Sequence, residues 1–286
     1  MKNIILLPVY NDWKSLNLLL KKINLKFTKA KYLEILIIND CSTKQPNIKR
    51  KSLKKIKKIK ILTLKKRLGS QKAISIGLDY LKKKENKFYL TIMDSDGEDN
   101  PDQLNKMFTL AKKHKKFVIT SHRKKRNEKV LIQLGYKFHL IISLFFTWNW
   151  ITFGNFSAFY SKNLDKIKLN QVWFAYSAAI LKNLKIKKIY AVREKRYFDN
   201  SKVNLIKLIE HSLRIISVFY DRVAFTCLML IIIYFSNNSN LNQNLNIIFI
   251  FTIFVINTLL IFIKIKNKAL LPINYKKFIK KIKIYK

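Results

Sequence analysis

Glycine is scarce in this chain, with five in 286 residues, and no stretch reads G-x-G-x-x-G or G-x-x-x-x-G-K-[ST]. Loops that cradle phosphates with backbone N–H groups need such glycines, so a glycine-rich nucleotide cradle is excluded. Any bound phosphate must be neutralised by side chains or by a metal. Cysteine is scarcer: Cys41 and Cys227 lie far apart without metal spacing, and His114, His122, His139 and His211 show no zinc pairing. Neither a disulfide framework nor a structural zinc is expected, which suits a reducing compartment. A cleavable leader is not expected either, because the apolar run at 3–9 is short and leads straight into Tyr10, Asn11 and Asp12.

Acidic residues are also few, 16 against 58 Lys and Arg, for a formal charge of +42. An excess of that size ordinarily points to nucleic acid or an anionic membrane surface. Here lysine, asparagine and isoleucine are raised together along the whole chain, as a composition-wide bias would raise them. The charge is therefore not read as a nucleic-acid footprint, no nucleic-acid partner is expected, and the basic run at 44–67 reads as a solvated face.

Against that background, five of the acids fall within nine residues: Asp94, Asp96, Glu98, Asp99 and Asp102, directly after an apolar β-type run at 88–93. Carboxylates packed this closely repel, and a hard divalent cation such as Mg²⁺ or Mn²⁺ relieves the repulsion. The Asp94-Ser95-Asp96 unit thus looks like half of a metal-diphosphate site. The plainer reading is an acidic turn, because Asp, Gly and Asn before Pro are ordinary turn residues. A calcium loop of the EF-hand type is excluded, since its sixth and twelfth places, counted from Asp94, hold Asp99 and Asn105 in place of Gly and Glu.

The chain before this cluster alternates strands with helices. The run at 3–9 precedes a helical pattern at 12–23, with Leu16, Leu19, Leu20 and Ile23 on one face. Runs at 33–38 and 59–64 follow, ending at Asn39-Asp40-Cys41-Ser42-Thr43 and before Arg67-Leu68-Gly69. A helix is expected at 71–84, with Ala73 and Gly77 forming a close-packing stripe. This order predicts an α/β domain with a mostly parallel sheet, whose ligands bind beyond the carboxyl ends of the strands. The motifs all fall at those ends. A further strand at 117–120 leads into Ser121 to Arg126, residues 130–146 form an apolar helix, and Trp148 and Trp150 fit either a lipid interface or a core. Gly154-Asn155-Phe156-Ser157 reads as a return to the sheet, and 173–181 as another helix.

Beyond residue 202 the texture changes. Leu205, Ile209, Leu213, Ile216 and Tyr220 mark an amphipathic helix at 203–221, followed by apolar segments at 223–235 and 245–263 and a polar bridge at 236–243. The second segment is long enough for a hydrocarbon core of about 30 Å, whereas the first is short. A transmembrane hairpin at 222–263 is expected. The bridge lacks Lys and Arg, so the positive-inside rule places both the domain at 1–202 and a basic tail at 264–286 in the cytoplasm, against the cytoplasmic membrane. Membrane lipids are then partners, and a homo-oligomer is compatible with this layout.

These motifs together resemble the inverting family 2 glycosyltransferases of GT-A fold, in particular the membrane-anchored group with the dolichyl-phosphate mannose synthases and bacterial polyprenyl-phosphate glycosyltransferases. Pro8-Val9-Tyr10-Asn11-Asp12 is similar to the family's P-x-Y-N-E, and Ile38 to Thr43 to its V-D-D-G-S-T. Gly69, Ala73 and Gly77 match its G-x-x-x-A-x-x-x-G, Asp94-Ser95-Asp96 its D-x-D, and Arg196, Ser201 and Lys202 its R-x-x-G-x-S-K. The chain departs at Asp12 (Glu), Asn39 (Asp), Cys41 (Gly), Asp199 (Gly) and Asn155-Phe156-Ser157 (Asp-Phe-Arg of the mannose synthases). The resemblance implies a donor pocket of Pro8, Tyr10, Asp12, Asn39, Asp40, Gly69, Lys72, Asp94 and Ser95, with Asp40 on the base or ribose. It implies Mg²⁺ or Mn²⁺ on Asp94 and Asp96, and Arg123, Arg126, Arg196, Ser201 and Lys202 facing an acceptor phosphate.

The implied reaction moves a sugar from a nucleotide-sugar donor to polyprenyl phosphate. A lipid phosphate is already ionised and needs positioning rather than a strong base. A saccharide or lipid hydroxyl would need a carboxylate base, for which Glu98 and Asp99, beside the catalytic Asp96, are the local candidates. The distant alternative is a non-catalytic, membrane-anchored basic binding protein, which leaves the acidic turn unexplained.

Overall fold

The computed structural model describes residues 1–27, 32–123, 130–191, 194–198, 205–237, 243–266 and 273–285. The chain runs β1 (Lys2–Val9), α1 (Trp13–Lys26), β2 (Leu33–Asn39), β3 (Lys58–Leu64), α2 (Ser70–Lys84), β4 (Phe88–Ile92), α3 (Leu104–Lys113) and β5 (Val118–Arg123). It continues through α4 (Val130–Thr147), β6 (Phe153–Tyr160), α5 (Leu169–Phe174), α6 (Tyr176–Asn183) and β7 (Ile186–Ala191). Last come α7 (Leu205–Val218), α8 (Tyr220–Asn237), α9 (Gln243–Lys266), α10 (Tyr275–Phe278) and β8 (Ile279–Tyr285). Two compact units result: Met1–Asn127 with Thr152–Lys202 and Ala269–Lys286, and Glu128–Ile151 with Val203–Lys268.

The first unit holds one eight-stranded sheet in the order β7-β5-β6-β4-β1-β2-β3-β8. Strands β3, β2, β1 and β4 are parallel, and β6 and β8 run antiparallel to their neighbours, so the sheet is mixed but mostly parallel. The inner strands read as near-continuous apolar runs because both faces are covered. Ile4, Leu6, Leu36 and Ile38 pack toward α2, α5 and α6, whereas Ile5, Leu7, Ile35 and Ile37 pack toward α1 and α3. Gly77 lets α2 lie on the sheet: a Cβ there would come within 2.6 Å of Leu6 Cδ1.

The stretch expected as a basic cytoplasmic tail at 264–286 contains a strand of the sheet. The chain returns to the first unit, and β8 pairs antiparallel with β3 as the edge strand. Asp79 on α2 anchors this return, its buried Oδ2 accepting the Tyr275 N–H at 2.8 Å and Lys83 Nζ at 2.9 Å. Lysine and isoleucine alternate over Lys281 to Ile284, a short strand pattern that the chain's lysine richness disguises, and lysine is a common guard of exposed sheet edges.

Two buried polar clusters bear on stability. At the amino ends of β1 to β3, Lys2 and Lys60 both bond Glu85 and both lie near Glu34, at 3.6 and 3.5 Å. Burial works against the Glu85 charge, but the hydrogen bonds from the two lysines outweigh it and hold its carboxyl below the usual range. On β5, His122 places Nε2 2.9 Å from Thr120 Oγ1 and Nδ1 2.7 Å from Thr152 Oγ1. Burial, and then the charge of Lys188, lower its pKa from 6.5 to about 4. Both groups hold fewer protons folded than unfolded below their ordinary values, so stability is lost as pH falls. Thermal melts should show Tm decreasing between pH 6.5 and about 4, and His122→Gln should flatten the upper part of that decrease.

The second unit comprises α4, α7, α8 and α9, packed through Ile216, Val223, Cys227, Ile253 and Leu260. Among the described residues one helix, α9 over Leu245–Ile265, is long and apolar enough to cross a membrane. Helices α7 and α8 pass the same test only as a pair, bent by 85°. Helix α8 is longer than the segment expected at 223–235. Trp148 and Trp150 are not core: they are 53% and 47% exposed. Arg222 reaches the Thr147 carbonyl at 2.7 Å and lies under the Trp148 ring, and Lys264 lies over Tyr220.

Candidate active site

Four parallel strands end in loops at one edge of the first unit's sheet. At the end of β1, Asn11 takes a positive φ of 58° and accepts hydrogen bonds from Thr43 Oγ1 and the Lys44 N–H, tying the β1 and β2 loops together. Asn39 accepts the Ser42 N–H at 3.0 Å, and its amide reaches Thr63 on β3. Asp40 is buried, and its two oxygens accept the N–H groups of Leu68 and Gly69 at 2.7 and 2.8 Å. Burial is the largest influence on this carboxyl and leaves it above the ordinary value, although both N–H groups, Arg67 and Lys72 favour its charge. The loop so held brings the Arg67 guanidinium to 4.0 Å from the centre of the Tyr10 ring. Gly69, with φ of 94°, then opens α2.

The acidic turn after β4 is pinned from several sides. Ser95 Oγ donates to the Pro8 carbonyl at 2.9 Å, which seats the turn against the end of β1. Asp99 Oδ2 accepts the Asp94 N–H at 2.8 Å, and Asp96 Oδ1 accepts the Glu98 N–H at 3.1 Å. Asp94 Oδ1 accepts Asn155 Nδ2 at 2.9 Å. Residues 194–198 lie along the turn, with the Glu194 and Tyr197 N–H groups donating to the Glu98 and Asp96 carbonyls. Gly97, at φ of 91°, is pressed by the Tyr197 ring, which a Cβ would meet at 2.5 Å. Arg196 bridges Asp96 Oδ2 at 2.8 Å and Glu98 Oε1 at 3.2 Å.

The structure thus brings Pro8, Tyr10, Asn39, Asp40, Gly69, Lys72, Asp94, Ser95 and Asp96 to the strand-end loops or the opening turn of α2. Asp12 serves as the N-cap of α1, its Oδ1 accepting the Ser15 N–H. Arg196, expected at an acceptor phosphate, bridges Asp96 and Glu98, as the most negative turn of a cationic chain draws the nearest guanidinium. Arg123 ends β5, while Arg126, Ser201 and Lys202 lie outside the described residues. Sequence reasoning left Arg67, one cation among 58, out of the candidate site, and noted Asn155 only as a departure from the Asp-Phe-Arg of the mannose synthases, without a role.

Among the described residues no group of three His, Cys, Asp or Glu side chains gathers as a metal site. Two aspartates with hard oxygens do fit a cation that arrives with a diphosphate, which completes its coordination with phosphate oxygens and water.

A mixed, mostly parallel sheet of this strand order, with strand-end loops meeting a D-x-D turn, defines a glycosyltransferase of GT-A fold. The model of the family described as glycosyl transferase family 2 matches residues 4–183, and the chain belongs to that family. Among solved structures, S. aureus TarS 1–349 in complex with UDP-GlcNAc is similar at 20% identity, covering 79% of this chain and 70% of that one, with a TM-score of 0.50. The glucosyl-3-phosphoglycerate synthase from Mycobacterium tuberculosis, in complex with Mn²⁺, UDP-Glc and phosphoglyceric acid, is 12% identical over 78% of this chain and 80% of that one, with a TM-score of 0.51. At these identities the likeness is one of fold. No curated protein matches the chain.

Proposed function

We propose that this protein is an inverting glycosyltransferase that moves a sugar from a nucleoside-diphosphate donor to polyprenyl phosphate at the cytoplasmic face of a membrane. The observation that carries the donor half is the seating of the Asp94–Asp96 turn on the end of β1, on the same sheet edge as Asp40 and the Tyr10–Arg67 pair. Tyr10 and Arg67 offer flat surfaces for a base, and Asp94 and Asp96 would hold Mg²⁺ or Mn²⁺ on the diphosphate. When bound, that ion stabilises charge on the departing nucleoside diphosphate. The similar structures were solved with UDP-GlcNAc and with UDP-Glc and Mn²⁺, which supports a uridine nucleotide and a divalent ion here.

Two observations support an already ionised acceptor. One oxygen of each candidate base already has a partner, Glu98 Oε1 in Arg196 and Asp99 Oδ2 in the Asp94 N–H. The second unit also exposes apolar side chains along α8 and α9, a surface that suits lipid. Chain connectivity supports a hairpin: the segments before α7 and after α9 both belong to the first unit, so any membrane crossings between them are even in number. If α9 crosses, α8 must supply the return. The proposed layout is therefore a cytoplasmic transferase domain of 1–202 closed by β8, a juxtamembrane helix at 203–221 and a hairpin at 222–263.

The test uses full-length protein in detergent. One sugar nucleotide should raise Tm by several degrees, and more with Mn²⁺ than without it. Labelled sugar should then appear on polyprenyl phosphate as a mild-acid-labile product. A mild-acid-stable product would move the acceptor to a hydroxyl, and failure of every sugar nucleotide to stabilise the protein would refute the enzyme reading.

A further inference from the structure

Asn155 meets Asp94 because of strand register. Ile92 on β4 pairs with Ser157 on antiparallel β6, so two residues further Asp94 faces Asn155. The contact is one link in a longer chain. Tyr176 N–H donates to Gln71 Oε1 at 2.6 Å, Gln71 Nε2 donates to Asn155 Oδ1 at 3.1 Å, and Asn155 Nδ2 donates to Asp94 Oδ1 at 2.9 Å.

The direction of every link follows from the first. Tyr176 opens α6, its N–H is a backbone donor without an intrahelical acceptor, and it cannot accept. Gln71 must therefore turn its oxygen to Tyr176 and its NH₂ to Asn155. Asn155 in turn must show its oxygen to Gln71 and its NH₂ to Asp94. A primary amide accepts at its oxygen and donates at its nitrogen, which a carboxylate cannot do. An aspartate at 155 would set a carboxylate against Asp94.

We propose that Gln71 and Asn155 form a one-way amide relay that fixes the rotamer of Asp94, making both of them positioning residues for sugar transfer. Gln71 sits in the first turn of α2 and Asn155 on β6, so the relay braces Asp94 against two rigid elements as well as α6. Its role in transfer rests on the donor site proposed above; its existence does not.

Gln71→Glu separates the two. The new side chain still accepts from Tyr176 but donates nothing, so Asn155 must turn its NH₂ toward it and its oxygen toward Asp94. Asp94→Asn supplies a donor at that point and lets the reversed relay close. In full-length protein, Gln71→Glu should lower Tm by about 3 °C, and should cost nothing in the Asp94→Asn background. Equal losses in both backgrounds would overturn the relay. With Asp94 intact, Gln71→Glu should also weaken binding of UDP in the presence of Mn²⁺ by about tenfold, read by calorimetry. Unchanged affinity would overturn the positioning role. If the unaltered protein binds no UDP, the uridine donor fails, and the melting cycle still decides the relay.

Discussion

Asp96→Ala is expected to reduce sugar transfer by about a thousandfold or more while leaving a folded protein. Its carboxylate makes the shortest cation contact of the turn, with Arg196 at 2.8 Å against 3.2 Å for Glu98, which marks it as the place where a cation on a diphosphate would be drawn; Asp94 is held by Asn155 and Asp99 closes the backbone. Removing a preorganised group that meets developing charge typically costs a hundredfold to a thousandfold, and here the loss would include the divalent ion. The fold should survive, because Arg196 keeps Glu98 and the backbone links from residues 194–198 do not involve the Asp96 side chain, although the Glu98 N–H loses its acceptor. The stability change should be about 1–3 kcal/mol, because the Asp96 side chain is only 14% exposed and its loss leaves Arg196 with one carboxylate. The measurement is transfer rate with and without chelator, beside a thermal melt of the same preparation. Transfer that survives both Asp96→Ala and chelator, in well-folded protein, would remove this carboxylate and the metal from the reaction.

Arg196 sharpens that experiment. It holds Asp96 at 2.8 Å, so a cation approaching this carboxylate meets a guanidinium already in place. The ion pairs of Arg196 were not legible in the sequence, since spacing reveals where a residue falls and not which charge it meets. The same limit applies to Asp12, which fits a family motif and caps α1. The parallel core was readable because strands buried on both faces must be apolar throughout, and the motifs stood out because each follows such a run. The edge strand β8 was not readable: its alternation of Ile and Lys is weak where lysine is everywhere, and its partner β3 lies over 200 residues earlier in the chain. Nor was the Gln71–Asn155 relay, which depends on strand register and on an amide orientation that no spacing encodes.

The largest stability effect is expected at the opposite edge of the sheet, with Glu85→Ala. Glu85 bonds both Lys2 and Lys60, and Lys60 is almost wholly buried. Alanine leaves two ammonium groups facing the single carboxylate of Glu34, at 3.5 and 3.6 Å. Breaking a buried ion pair by removing one partner costs about 3–5 kcal/mol, because the remaining charge stays desolvated. Glu85→Ala should therefore lower the denaturant midpoint strongly, by more than any single change considered in the donor site. Pairing it with Lys60→Met should recover much of that loss, since an apolar side chain of similar length needs no counter-ion. The cluster stands at the amino ends of β1 to β3 and the donor loops at their carboxyl ends. Protein that remains folded should consequently bind UDP as tightly as the unaltered chain. A midpoint that hardly moves would show that Glu34 alone balances both lysines; weakened UDP binding would show that the two edges of the sheet are coupled.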